Sequence, residues 1–332
     1  MSDPVLLADW HPVAAACELE GRPVAAKLLG TDLVLWRDAE GAAHAWQDRC
    51  PHRGTRLSLG RLEQGGLTCA YHGWRFAPDG RCMHVPSQPG QLPAESARAN
   101  SFRIEERYGL AWVCLGEPAR AVLPYPEYDD PKLRKVLCGP YDVASSGPRI
   151  VENFLDMAHF AFVHAGVLGD PARTEVRDYR VEPWTDSAGG AGLMATQCFA
   201  WQPQTNSLAH GGSDVEYTYR VVRPLTAILT KVPDVQQGFF HEAISLHVQP
   251  IEEESSRVWI VMAMTDFDQD EATLRAFQDG IFLQDRPILE SQVPRRLPLA
   301  PGAESPVRSD RMSVSYRRYL REAGLRYGVI QA

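Results

Sequence analysis

Apolar positions in the first hundred-odd residues fall in short runs separated by turn-forming residues, a pattern that predicts β structure. Arg22 to Leu29 and Leu33 to Trp36 are two such runs, and Asp38-Ala39-Glu40-Gly41 between Trp36 and His44 has the composition of a hairpin turn. Leu110 to Leu115 is a third run, entered through Tyr108-Gly109. The pattern then breaks. Glu117 to Pro131 holds four prolines and several acids, which suits an ordered connection better than a helix or strand. The domain boundary is placed there, giving units 1–120 and 121–332.

Beyond the boundary both periodicities occur. Pro148 to His164 is compatible with a helix, with Pro148 in the first turn after Gly147. Strand-like runs follow from about Val176 to Met264, among them Asp214–Val222, Phe239–Val248 and Arg257–Met264. A late helix is predicted to start at Asp268, with Glu271 at capping-box spacing, and to continue to about Gln292. Its apolar stripe is Leu274, Phe277, Ile281 and Leu289 or Ile288. The class for this part is α+β.

Composition narrows the function. With 332 residues, 44% of them hydrophobic and 23% charged, the chain can build two ordinary globular domains. No run of eighteen or more apolar residues is present and the start lacks a signal-peptide pattern, so no membrane span and a cytoplasmic location are expected. A net charge of -8 argues against nucleic acid as a partner, because phosphate binding needs excess Lys and Arg. Seven scattered cysteines in a reducing compartment should be thiols or metal ligands.

Two of them sit in paired loops. Cys50-Pro51-His52 and Cys69-Ala70-Tyr71-His72 form C-x-H and C-x-x-H halves, each contributing one Cys and one His. Zinc fingers usually group Cys with Cys, whereas a Rieske [2Fe–2S] centre needs two Cys on one iron and two His on the other. A structural zinc site is the alternative. The five other cysteines have no such partners and are expected to be buried or idle thiols.

A second constellation is D-x-x-H-x-x-x-x-H at Asp156, His159 and His164. On a helix Asp156 and His159 share a face, but His164 would swing off it, so the helix must end or distort for both His to meet one metal. Asp285 falls in the apolar stripe of the late helix, four residues after Ile281. A carboxylate there needs a partner: a metal, or an arginine such as Arg286 or Arg295. Pro287 frees the carbonyl of Leu283 and predicts a distortion near Asp285.

Taken together these motifs resemble, over nearly the whole length, the catalytic subunits of Rieske non-haem iron oxygenases. The resemblance implies that Cys50, His52, Cys69 and His72 hold the [2Fe–2S] cluster and that His159, His164 and Asp285 hold a mononuclear Fe(II). It further implies that Asp156 bridges the two sites and that Asn153 is a polar neighbour of the iron. The implied fold is an all-β Rieske domain followed by a helix-grip domain, a curved antiparallel sheet around a long helix. The short length is similar to the compact α-only group that includes dicamba and vanillate O-demethylases, toluenesulfonate methyl monooxygenase and saxitoxin-type hydroxylases.

The implied activity is O2-dependent hydroxylation or oxidative demethylation of a small aromatic or heterocyclic substrate, with aromatic ring cis-dihydroxylation as the alternative. No strand-linked G-x-G-x-x-G is present, so electrons from NAD(P)H should arrive through a separate ferredoxin or flavin reductase. Arg49, Arg53, Arg56, Arg61, Arg75 and Arg81 around the cluster loops suggest either a docking surface for it or a solvated face. A head-to-tail homotrimer is also implied. The pocket is expected between strands of 200–265 and the late helix, with Phe239, Phe240, His241, Met262, Met264, Phe277 and Ile281 as candidate lining.

Overall fold

The computed structural model describes residues 3–204, 212–233 and 242–331. Apart from the first few residues, the chain divides into two compact units, Pro4–Val122 and Leu123–Ala332.

In the first unit a helical turn, α1 (Pro4–Leu7), leads into β1 (His11–Ala15), β2 (Val24–Leu28), β3 (Thr31–Arg37) and β4 (Ala43–Gln47). An excursion of short strands follows: β5 (Arg61–Glu63), β6 (Gly66–Thr68), β7 (Arg75–Phe76) and β8 (Cys82–His84). The chain then returns through β9 (Ser101–Arg107) and β10 (Leu110–Cys114). The result is a six-stranded sheet in the order β1-β10-β9-β4-β3-β2 and a four-stranded sheet β5-β6-β7-β8. Both are antiparallel throughout.

Tight turns set the registers. Leu29-Gly30 and Tyr108-Gly109 both have positive φ at their two positions, the backbone twist that two-residue hairpins require. Tyr108-Gly109 thereby pairs Arg107 with Leu110 and puts all of β10 into the core. Trp36, Trp46, Leu57, Leu67 and Phe76 form one apolar cluster, and Cys50 and Cys69 belong to it. Those two thiols are therefore fixed by hydrophobic packing as well as by their loops.

The second unit opens with a short helix, α2 (Pro126–Asp129), inside the Pro-rich connection that was read as non-helical. Pro126 begins it, where a missing N–H costs nothing. The strand β11 (Arg134–Val143) precedes helix α3 (Gly147–Leu155) and a single turn α4 (Phe160–Val163). Then come β12 (Arg180–Thr185), β13 (Ala191–Gln202), β14 (Ser213–Arg223), β15 (Thr226–Pro233), β16 (Glu242–Glu252) and β17 (Ser255–Met264). Helix α5 (Glu271–Ser291) and helix α6 (Arg311–Ala323) follow, with the short parallel pair β18 (Leu297–Pro298) and β19 (Val329–Ile330) flanking α6.

The seven strands form one antiparallel sheet in the order β11-β17-β16-β15-β14-β13-β12. First and last strands of the hairpin series meet because β11 closes on β17. Helix α5 lies on β11, and α3 on β15 and β16. This is the expected sheet-and-long-helix domain.

Details of the helices differ from the sequence reading. The cap of α5 is Asp270, whose carboxylate accepts the N–H of Thr273 at 2.7 Å, not Asp268. Its buried positions are Leu274, Gln278, Phe282, Asp285 and Leu289, so the buried line runs one residue later than Phe277 and Ile281. Phe282 stacks on Tyr141 of β11 with ring centroids 4.3 Å apart. Truncating Phe282 to Ala would cost about 3–5 kcal/mol. The helix runs unbroken through Pro287 to Ser291.

Candidate metal centres

The two cluster loops share one hydrogen-bonded turn. In the first, Cys50 N–H donates to Thr55 O at 2.8 Å and Gly54 N–H donates to Cys50 O at 2.9 Å. In the second, Cys69 N–H donates to Trp74 O at 2.8 Å and Gly73 N–H to Cys69 O at 3.1 Å. Gly54 and Gly73 occupy the same place in each, with φ of 75° and 67°, a conformation a side chain would strain. The histidine sits two residues after Cys50 in one loop and three after Cys69 in the other, yet the rings of His52 and His72 come to 4.7 Å. His52 also stacks flat on Trp74 at 4.2 Å, which fixes its plane.

Electrostatics suit a cationic guest. Burial pushes the Cys50 thiol up to about 11, and the neighbouring Cys69 adds to the rise. Two buried thiolates side by side therefore need positive charge from outside the protein. Burial, then the proximity of His72, holds His52 below the usual imidazole value, in the neutral form that can ligate. Among the described residues, these four donors do not form a set within 4.8 Å of one another. A single tetrahedral zinc would demand one; a group of two irons does not.

The second site is a set of that kind. Donor atoms of His159, His164 and Asp285 all lie within 4.8 Å of one another. Oδ1 of Asp285 is 3.5 Å from Nε2 of His159 and 3.2 Å from Nε2 of His164. Bonds of about 2.1 Å at right angles would place neighbouring donors about 3 Å apart. The spacing fits one ion.

How the chain achieves this departs from the helical-face expectation. Helix α3 is capped by Ser146, which accepts the N–H of Arg149, and it ends at Leu155. Asp156 is extended (φ -90°, ψ 138°), so the helix stops before both histidines instead of between them. The Asp156 carboxylate then accepts the N–H groups of Ala158 at 3.0 Å and His159 at 3.2 Å, closing an Asx turn. That turn brings Asp156 to His159. The single turn α4 carries the chain on to His164.

Each imidazole is oriented by its outer nitrogen. Nδ1 of His159 donates to Asp156 at 2.9 Å, and Nδ1 of His164 donates to Oε1 of Gln284 at 2.8 Å. Because both acceptors are oxygens, the protons sit on Nδ1 and the Nε2 lone pairs face Asp285. Nδ2 of Asn153 donates to the Asp285 carboxylate at 3.3 Å. Burial would raise Asp156, but His159 and the two backbone N–H groups bring it below the ordinary carboxylate value. Burial would likewise lower His164, yet the Asp285 carboxylate, helped by Gln284, raises it.

Neither alternative partner, Arg286 or Arg295, pairs with Asp285 among the described residues; Arg286 pairs with Glu290 at 3.1 Å instead. Gln284 was not foreseen, and only its adjacency to Asp285 could have pointed to it. Of the six arginines, Arg56, Arg61 and Arg81 are in ion pairs with Asp32, Glu63 and Asp79, which halves the free positive charge. Among the five spare cysteines Cys17 is exposed and Cys82 half-buried, while Cys114, Cys138 and Cys198 are buried.

A pocket opens beside the three donors. Phe277 and Ile281 line it as expected, together with Asn153, Phe160 and Tyr217. Met262 and Met264 are buried core residues and do not line it. Phe239, Phe240 and His241 lie outside the described residues.

Known families match both units of the chain. Residues 9–101 match the family described as Rieske [2Fe-2S] domain, and residues 143–326 match the vanillate O-demethylase oxygenase C-terminal domain. The chain is 41% identical over 221 residues to the probable methylxanthine N7-demethylase NdmC of Pseudomonas sp. (strain TJI-51), covering 67% of this chain and 77% of that protein. It is 32% identical over 321 residues to the methylxanthine N1-demethylase NdmA of Pseudomonas putida, covering 94% and 88%. The structure of Pseudomonas putida CBB5 NdmA with caffeine superimposes with a TM-score of 0.81 at 31% identity, over 96% of this chain and 91% of that one.

Proposed function

The chain belongs to the Rieske non-haem iron oxygenases with a vanillate O-demethylase-type catalytic domain, and on that premise we propose that it oxidatively removes a methyl group from a small N-methyl heterocycle. It is an oxidoreductase with a [2Fe–2S] cluster and a mononuclear iron, supplied with electrons by a separate reductase. The observation that carries the proposal is the convergence of His159, His164 and Asp285 at the edge of a largely apolar pocket.

In this reading residues 1–120 are the cluster domain and 121–332 the iron domain. Cys50, His52, Cys69 and His72 hold the cluster, and His159, His164 and Asp285 hold the iron. When bound, the cluster passes electrons one at a time and the iron activates O2 at its open positions. The remaining work belongs to side chains. Asp156 and Gln284 keep the Nε2 atoms aimed inward, and Asn153 restrains the Asp285 carboxylate. Phe277, Ile281 and Phe160 exclude water and hold a planar ring.

The balance is one O2, two electrons and two protons per methyl group. One oxygen enters the methyl carbon, which leaves as formaldehyde when the C–N bond breaks; the other becomes water. The test is turnover with NAD(P)H and a surrogate reductase on N-methyl heterocycles, counting formaldehyde against O2. One formaldehyde per O2 is expected. A cis-diol product with no formaldehyde would replace the proposal by ring dihydroxylation.

We also propose a head-to-tail ring of three chains in the cytoplasm, in which one chain's cluster loops approach the Asp156 side of its neighbour. A heterologous contact of this kind closes into a cyclic oligomer. Supporting it, Asp156 and His159 border a cleft whose wall carries Arg317, Arg318 and Arg321. A fully active monomer at assay concentration would remove it.

A further inference from the structure

We propose that Lys231 and Glu242 form a substrate-reading pair on the sheet wall of the cavity, selecting neutral planar heterocycles whose edge carries an N–H next to a carbonyl. The inference rests on the cavity being the oxygenase substrate site, and it names what that site reads.

Residues two apart on a strand share a face. The cavity face of β15 presents Leu229 and Lys231, and that of β16 presents Glu242, Ile244 and Leu246. Lys231 and Glu242 are direct cross-strand partners, so their side chains meet on this otherwise apolar wall. Nζ of Lys231 is 2.5 Å from Oε2 of Glu242, and the side chains are 5% and 10% exposed. Apart from this ion pair neither head group makes a hydrogen bond among the described residues, and Oε2 of Glu242 is left without a hydrogen-bond partner.

Fold stability does not account for such a pair. Withdrawing two ions from water costs more than their attraction returns unless other hydrogen bonds complete them, and a hydrophobic pair of similar volume would pack there at no such cost. What two apolar residues could not supply is a donor and an acceptor side by side. The ammonium has three N–H groups and Glu242 engages it at one place; the carboxylate keeps acceptor sites of its own. A lactam or imide edge offers the complement: its carbonyl takes a proton from Lys231 and its N–H donates to Glu242. Because the pair is neutral overall, it gives the wall no net charge with which to hold a substrate carboxylate.

Theobromine and caffeine are matched probes, since theobromine has an N–H between two carbonyls where caffeine has an N-methyl. Binding is measured by calorimetry under anaerobic conditions on the metal-loaded protein, with the cluster spectrum as the check on folding. Wild type should bind theobromine about tenfold or more tightly than caffeine, because a site built to hydrogen-bond an N–H leaves its own groups unpaired with the methylated analogue. Lys231→Met/Glu242→Leu removes both charges together and leaves no orphan; it should bind the two within about twofold, by losing theobromine affinity.

Equal binding by wild type, no binding of theobromine, or a preference that survives in the double variant would each overturn the assignment. Formaldehyde release from another methyl compound without theobromine binding would overturn the pair and leave the demethylase intact. Selective theobromine binding with no formaldehyde from any methyl substrate would support the pair and sink the demethylase.

Discussion

The two metal centres are made in opposite ways. The proposed cluster donors Cys50, His52, Cys69 and His72 come from two neighbouring loops of one small β unit, each loop closed by the same pair of backbone hydrogen bonds. The proposed iron donors come from the break after α3 and from α5; His164 and Asp285 depend on polar partners from distant segments, and His159 on the nearby Asp156. Local turns can hold a cluster because thiolate ligation is strong and the loops are short. A site of two imidazoles and one carboxylate must be aimed, and the aiming is done by Asp156, Gln284 and Asn153.

The sharpest break between the two centres is expected from Cys69→Ser. It should abolish the cluster, with loss of acid-labile sulfide and of turnover, while the iron site still takes up one Fe(II) in anaerobic titration. Cys198→Ser, buried in the other unit, should leave sulfide and turnover unchanged. Zinc in place of cluster iron in the native protein would contradict the contrast altogether.

Asp156→Asn should come next. The amide keeps the shape of the Asx turn but presents a weaker acceptor to His159, and both metals should remain bound. Turnover is expected to fall by about 100-fold. Stopped-flow absorbance should show the cluster taking up an electron at the normal rate and passing it on slowly. Unimpaired transfer to the iron would show that the carboxylate does not link the centres.

Gln284→Leu isolates aiming from ligation. It removes the acceptor for Nδ1 of His164 and keeps all three donors, so Fe(II) affinity should weaken by about tenfold while the cluster spectrum is unchanged. An unaltered iron titration would mean that packing alone orients His164.

The smallest effect tests the scaffold behind the iron site. Arg149 of α3 and Arg317 of α6 both pair with Glu304, at 2.6 and 2.5 Å. Burial works against the charged form of Glu304, but these two arginines outweigh it and hold the carboxyl at about 2. A depressed carboxylate stabilises the fold fully above its unfolded value, about 4.3, and the contribution is lost as pH falls through the folded value. Glu304→Gln should therefore lower the melting temperature at pH 7, and the gap should narrow only below about pH 5. The group is partly exposed, so the loss is expected near about 1 kcal/mol. A gap that widens on acidification would reverse the sign and refute the account.

The outline of the fold was legible in the residues, and so were the side chains proposed to hold the metals. C-x-H with C-x-x-H is a local pattern whose geometry is closed by backbone hydrogen bonds, and a carboxylate in the apolar stripe of a helix announces Asp285. The errors were also physical in origin. Propensity favoured one helix across Pro148–His164, but the Asp156 side chain competes for the backbone N–H groups of Ala158 and His159 and ends it. Asp268 and Asp270 are equally good caps by composition, and the structure uses Asp270, whose carboxylate accepts the N–H of Thr273.

By itself, then, the order of residues determined which side chains can ligate and where strands and helices run, because ligand spacing and periodicity are properties of short segments. Tertiary structure alone decided which distant groups serve them. Gln284 is tied to His164, Asn153 to Asp285 and Lys231 to Glu242 across the sheet. Each of those pairings depends on how α3, α5 and the strands are set against one another, and no short stretch of chain carries that information.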